Sequence, residues 1–113
     1  MSRGTVALRG EVWWVRLDPT IGSEIAKTRP CLVLSSNIVN ERRKTVVVVP
    51  LSSSPHSSPP LLVPVQCGGR NAVAVVDQIR GVSKERLDRR MATLSVEHLE
   101  AVEQALREVL ELG

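Results

Sequence analysis

A chain of 113 residues can hold one small domain, read here as spanning 1–113, with enough surface left over for self-association. At 42% hydrophobic and 24% charged it has a globular composition, too apolar to remain disordered. Its formal net charge of +3 favours a polyanionic partner, while Trp13 and Trp14 as the only aromatics count against modules that stack successive bases on aromatic platforms.

The first predicted element is a strand, EVWWVRL (11–17), rich in branched and aromatic residues and closed by the turn signal Asp18-Pro19. Alternate strand residues face opposite ways, so Trp13 and Trp14 point to different surfaces, one into the core and the other to a second face such as a subunit interface. The loop GSEIAKTRP (22–30) sets Glu24, Lys27 and Arg29 just ahead of a buried segment. CLVLSS (31–36) then reads as a strand opened by Pro30, a position that tolerates proline. TVVVVPLS (45–52) is the most β-prone run, and its unbroken apolar character predicts burial on both faces.

SSSPHSSPP (52–60) is a Ser/Pro loop with no means of forming a ladder. LLVPVQ (61–66) reads as an edge strand because of Pro64, CGGRN (67–71) as a turn, and AVAVVDQIR (72–80) as a further strand. Ser83 caps a short helical turn through SKERL. From Ser95 onward Val96, Leu99, Val102, Leu106 and Val109 or Leu110 recur at helical spacing, with Ser95 as N-cap, Glu97 and Glu100 in the first turns, and Gly113 closing the end. Five or six short strands and a terminal helix predict a mainly β fold, a small, partly open barrel. Cys31 and Cys67 have no metal or redox spacing and read as reduced core thiols of a cytosolic protein. No signal-peptide pattern opens the chain, and no apolar run approaches the roughly 18 residues of a membrane span.

Arg29 is the most informative polar position. Held by Pro30 at the start of a strand, its guanidinium can match two phosphate oxygens at once and stays charged at any working pH. An exposed arginine with no role is the competing reading. Ser52 ends the longest apolar strand, where its hydroxyl is either a site residue or the cap of a serine-rich turn. Asp77 and Gln78 interrupt a buried strand and need partners, whether structural or functional. His56 and His98 lack metal-ligand spacing, and no G-x-S-x-G, P-loop or G-x-G-x-x-G occurs.

Taken in order, RGEVWWVRLDPTIGSEIAKTRP (9–30), TVVVVPLS (45–52), AVAVVDQIRGVSKERL (72–87) and LSVEHLEAVEQAL (94–106) resemble the MazF/PemK family of toxin–antitoxin ribonucleases. The resemblance implies an SH3-like barrel with a C-terminal helix, a cytoplasmic homodimer, and metal-independent cleavage of single-stranded RNA at a short sequence, with no cofactor. It assigns catalysis to Arg29 and Ser52, the latter a threonine in most members, with Glu24 implicated in some. Ser23, Lys27, Thr28, Ser53 and Gln78 become RNA contacts, and Asp77 a groove residue. Leu61-Leu62 stands where many relatives carry a polar residue. The implied partner is a small antitoxin whose acidic tail blocks the RNA groove. Two other readings share the fold: a barrel that binds RNA or protein without cutting, and a gyrase-inhibiting toxin.

Overall fold

The computed structural model describes residues 6–17, 27–53 and 57–113. Seven strands are formed: β1 (Glu11–Arg16), β2 (Thr28–Val33), β3 (Thr45–Ser52), β4 (Leu62–Cys67), β5 (Arg70–Val75), β6 (Arg80–Ser83) and β7 (Leu87–Thr93). A short helix α1 (Asn37–Arg42) joins β2 to β3, and α2 (Val96–Val109) closes the chain. Every pairing is antiparallel, in the order β4-β5-β3-β2-β1-β7, with β6 also on β3.

The curl of this sheet comes from β3. Along its first half, Thr45–Val48, it pairs with β6, and at its end Leu51 and Ser52 pair with β5. One edge of one strand thus serves two partners, because a 3-10 turn at Val76–Gln78 breaks what the sequence presents as one continuous strand. The sheet opens into two lobes and is filled on both sides. Val12, Leu32, Val49 and Leu51 face one core, where Val102 and Ala105 of α2 pack; Trp13, Val15, Cys31, Val33, Val46 and Val48 face the other. That two-sided burial is why TVVVVPLS carries no polar alternation.

Several expectations hold in detail. Pro64 lies in β4 at the sheet edge, where a missing N–H breaks no ladder. Trp13 is buried and Trp14 half-buried, on opposite faces. Trp13 donates its indole N–H to Glu11 Oε1 at 2.9 Å, and the buried Glu11 carboxylate also accepts from Leu8 N and meets Arg90 at 3.4 Å. Ser95 caps α2 by accepting from His98 N, and Ser83 caps the turn at Lys84–Arg86.

Others are corrected. The second strand starts at Thr28 and stops at Val33, rather than running 31–36, since Ser36 is used instead as the N-cap of α1. The helix α1 has no apolar stripe to announce it; its buried residue is Asn40, which donates Nδ2–H to Ser35 O at 3.0 Å. β7 (LDRRMAT) has no period-2 pattern and is held by pairing to β1 across two register irregularities. α2 ends at Val109, because Glu111 at φ 55° turns the chain before Gly113. Val96 is 72% exposed, so the apolar stripe begins at Leu99.

Candidate active site

Within the segment GSEIAKTRP, Lys27 immediately precedes β2 and has a left-handed backbone at φ 67°. Its carbonyl accepts from Leu17 N at 3.0 Å, which pins the chain where β2 departs from β1. Two residues later Arg29 pairs with Val15, and Pro30 with Trp14. Across the other side of β2, Cys31 faces Pro50. The same antiparallel register carried two residues further sets Arg29 against Ser52, the last residue of β3, which pairs on its far side with Val73. Two strand ends thereby present a guanidinium and a hydroxyl together, on backbone fixed by sheet hydrogen bonds.

Both border a cleft of about 230 Å³. Thr28 and Ser53 line it as well, as do Arg70 and Asn71 at the start of β5, which follows the β4–β5 turn. Pro30, Leu51, Cys67, Ala72 and Met91 give the cleft apolar surfaces, and Trp14 lines it with the Arg89 guanidinium 5.9 Å from its ring centroid. Among the described lining residues there is no carboxylate, so the cleft is cationic and rich in donors. Such a site stabilises negative charge on phosphate-like oxygens.

Of the residues singled out from sequence, Arg29, Ser52, Thr28 and Ser53 come together here. Lys27 is next to the strand end without lining the cleft, and Gln78 sits half-buried in the 3-10 turn beyond β5, also outside it. Asp77 is exposed, so it is not the buried polar residue that a continuous strand would have made of it. Glu24, Ser23 and His56 lie outside the described residues. Leu61 is exposed just before β4.

Sequence reasoning missed Trp14, Arg70, Asn71 and Met91 as cleft residues. Only the glycine pair of CGGRN hinted that Arg70 and Asn71 are projected from a tight turn. Both thiols are free and buried, as expected of core cysteines, which disfavours the thiolate. Burial pushes Cys31 up to about 12, offset in part by Arg80, and burial also raises Cys67.

Residues 8–110 match the model of the family described as PemK-like, MazF-like toxin of type II toxin-antitoxin system. The chain belongs to this family. Among relatives, it is 34% identical over 113 residues to the endoribonuclease MazF9 of Mycobacterium tuberculosis, covering 92% of this chain and 96% of that one. It is 30% identical over 107 residues to the endoribonuclease EndoA of Bacillus subtilis, covering 90% and 92%. The structure is similar to that of MazF from Deinococcus radiodurans, with a TM-score of 0.84 and 25% identity over 95% of this chain and 98% of that one. The SH3-like barrel with a C-terminal helix is thus the PemK/MazF fold, and in this PemK/MazF chain the cleft sits at the ends of β2 and β3 that carry Arg29 and Ser52. No helix among the described residues is long and apolar enough to cross a membrane.

Proposed function

We propose that this chain is the toxin of a toxin–antitoxin pair, an endoribonuclease that cuts single-stranded RNA at a short sequence, in mRNA above all, and so stops translation and growth. The observation that carries the reading is the register of Arg29 and Ser52 at the mouth of one cationic cleft, in a chain whose relatives are named endoribonucleases. The 2′-hydroxyl of the substrate attacks the adjacent phosphorus in line. The new P–O2′ bond forms as the P–O5′ bond breaks, leaving a 2′,3′-cyclic phosphate and a 5′-hydroxyl end.

Negative charge grows on the phosphate oxygens as this happens. Donors already in place stabilise it without reorganising, and that is the work assigned to Arg29 and Ser52. Arg29 stays protonated and is a poor base, so the 2′-hydroxyl proton goes to a carboxylate, with Glu24 in that role, while Arg29 hydrogen-bonds to the leaving 5′-oxygen, which takes up a proton from solvent as the 5′-hydroxyl forms. Thr28 and Ser53 hold the RNA backbone beside the scissile phosphate, Lys27 and Ser23 hold it further along the loop, and Gln78 contacts it beyond the cleft.

The partner in this reading is an antitoxin whose acidic tail enters the same cationic groove by charge complementarity. A structure of similar fold, at 23% identity, is described as an endoribonuclease from Mycobacterial species in complex with its cognate antitoxin. A homodimer in the cytoplasm completes the assignment.

The test is to incubate the purified protein with long single-stranded RNA in excess EDTA and map the fragment ends. Cuts at one recurring sequence with 5′-hydroxyl ends, absent with Arg29→Ala, are the expected result. Intact RNA from a folded protein that still binds it would replace the enzyme with a non-catalytic barrel.

A further inference from the structure

The part of the cleft that Arg70 and Asn71 line has no part in the chemistry above, yet it is built to a definite shape. Cys67 and Arg70 pair across a two-residue connection formed by Gly68 at φ 60° and Gly69 at φ 81°. Two successive left-handed residues make the tightest hairpin turn, whose twist matches the flanking strands and leaves its ends little freedom. Arg70 therefore leaves a rigid strand end rather than a loose loop. Beside it, Asn71 Oδ1 accepts from Gln66 Nε2 at 3.3 Å, a second tie across the same hairpin.

The other surfaces of the cleft are of the wrong kind for phosphate alone. Pro30, Leu51, Ala72 and Met91 are apolar, and Trp14 adds an indole. A phosphate gains nothing from such contacts, whereas a flat nucleobase buries its faces against them and keeps its polar edge for a donor. The Arg89 guanidinium, 5.9 Å from the Trp14 ring centroid, adds positive charge beside the indole. At about 230 Å³ the cleft is below the roughly 300–1,000 Å³ of ordinary ligand pockets, which suits one base rather than two.

We propose that Trp14 and Arg70 form a base-reading subsite for one nucleotide flanking the scissile phosphate. The base stacks on Trp14, and the Arg70 guanidinium reads an edge with two adjacent acceptors, the pattern that guanine presents with O6 and N7. This rests on the ribonuclease reading, and it assigns part of the sequence choice to a wall that takes no part in bond breaking. The charge of Arg29, Arg70 and Arg89 favours RNA over a neutral or cationic occupant.

The experiment uses full-length protein and an RNA pool randomised around the cut position, with ends mapped for wild type, Arg70→Ala, Arg70→Lys, Trp14→Leu and Trp14→Phe. Wild type is expected to favour guanine at one flanking position by about tenfold to a hundredfold, the discrimination of one bidentate contact. Arg70→Ala cuts guanine-flanked RNA about tenfold to a hundredfold more slowly, level with RNA flanked by the other bases, so the preference is lost, and replacing the guanine by 7-deazaguanine in a wild-type substrate reproduces the loss. Trp14→Leu weakens binding of an RNA made uncleavable by a 2′-deoxy sugar at the scissile position, and Trp14→Phe restores it. Thermal unfolding curves identify any variant whose fold has failed, and the 7-deazaguanine result needs no variant at all. An unchanged flanking preference in Arg70→Ala with a full response to Arg29→Ala would overturn the subsite and leave the ribonuclease standing. A shift of the Trp14 variants from dimer to monomer, with base preference intact, would instead make this wall a subunit contact. Wild type that cuts no RNA would sink both readings.

Discussion

Replacing Ser52 by alanine separates a catalytic hydroxyl from a turn cap. The residue is half-buried at the last position of β3, and its backbone pairing with Val73 does not depend on the side chain. Loss of one oxygen there leaves no large cavity, so the stability cost should stay near that of one hydrogen bond, about 1 kcal/mol. If the hydroxyl donates to the phosphate in the transition state, the rate should fall on the order of 10²–10³, about 2.7–4 kcal/mol. Arg29→Ala should cost a similar amount for the same reason. The two lie on adjacent strands and line one cleft, so if both donate to one phosphate they act as a unit, and the double variant should fall well short of the product of the single losses. Ser52→Thr keeps the hydroxyl and adds a methyl that restricts its rotamer, so it should cut at least as fast as wild type. The assay is single-turnover cleavage of a short RNA in EDTA, with thermal melts of each variant alongside. A Ser52→Ala rate within tenfold of wild type would refute the assignment, as would losses that simply multiply.

Lys27→Gly should raise Tm, because a left-handed L-residue costs about 1–2 kcal/mol and glycine returns about 0.5–1 kcal/mol of that through its freer unfolded chain; a lower Tm would show that the Lys27 side chain contributes more than its backbone strain removes. The buried Cys31 thiol keeps its proton up to about 12, against an ordinary 9.0, so the folded state binds the extra proton between those values. Its stabilising contribution is complete below pH 9 and is lost as pH rises toward about 12. Urea midpoints across pH 8.5–11 should therefore fall more steeply for wild type than for Cys31→Ala, and parallel slopes would contradict the burial argument.

Strand-forming runs were readable from the sequence wherever burial imposed a pattern. TVVVVPLS and EVWWVRL announce themselves by composition, Pro64 marks its own strand as an edge, and Ser95 with the leucines and valines behind it marks α2. α1 and β7 were not readable. One hangs on a serine cap and a buried Asn40, and the other on pairing with β1, and neither cause leaves a periodicity. AVAVVDQIR presents itself as one strand because its branched apolar residues on both sides of Asp77 and Gln78 suit a strand. The break at Val76–Gln78 lets β3 be shared between β5 and β6.

For the site, the sequence alone determined the chemistry available: an arginine fixed by Pro30 before a strand, a hydroxyl at the end of another, and no acidic or cysteine cluster to rival them. Family motifs settled what those residues resemble, since motifs are local in sequence. Only the tertiary structure decided that Arg29 and Ser52 share one mouth, and that Trp14, Arg70 and Met91, from three separate strands, wall the same cleft. Residues 29 and 52 are brought together by register, and register follows from which apolar faces must be buried and how each turn closes. That information is spread over the whole sheet, and no single stretch of the chain contains it.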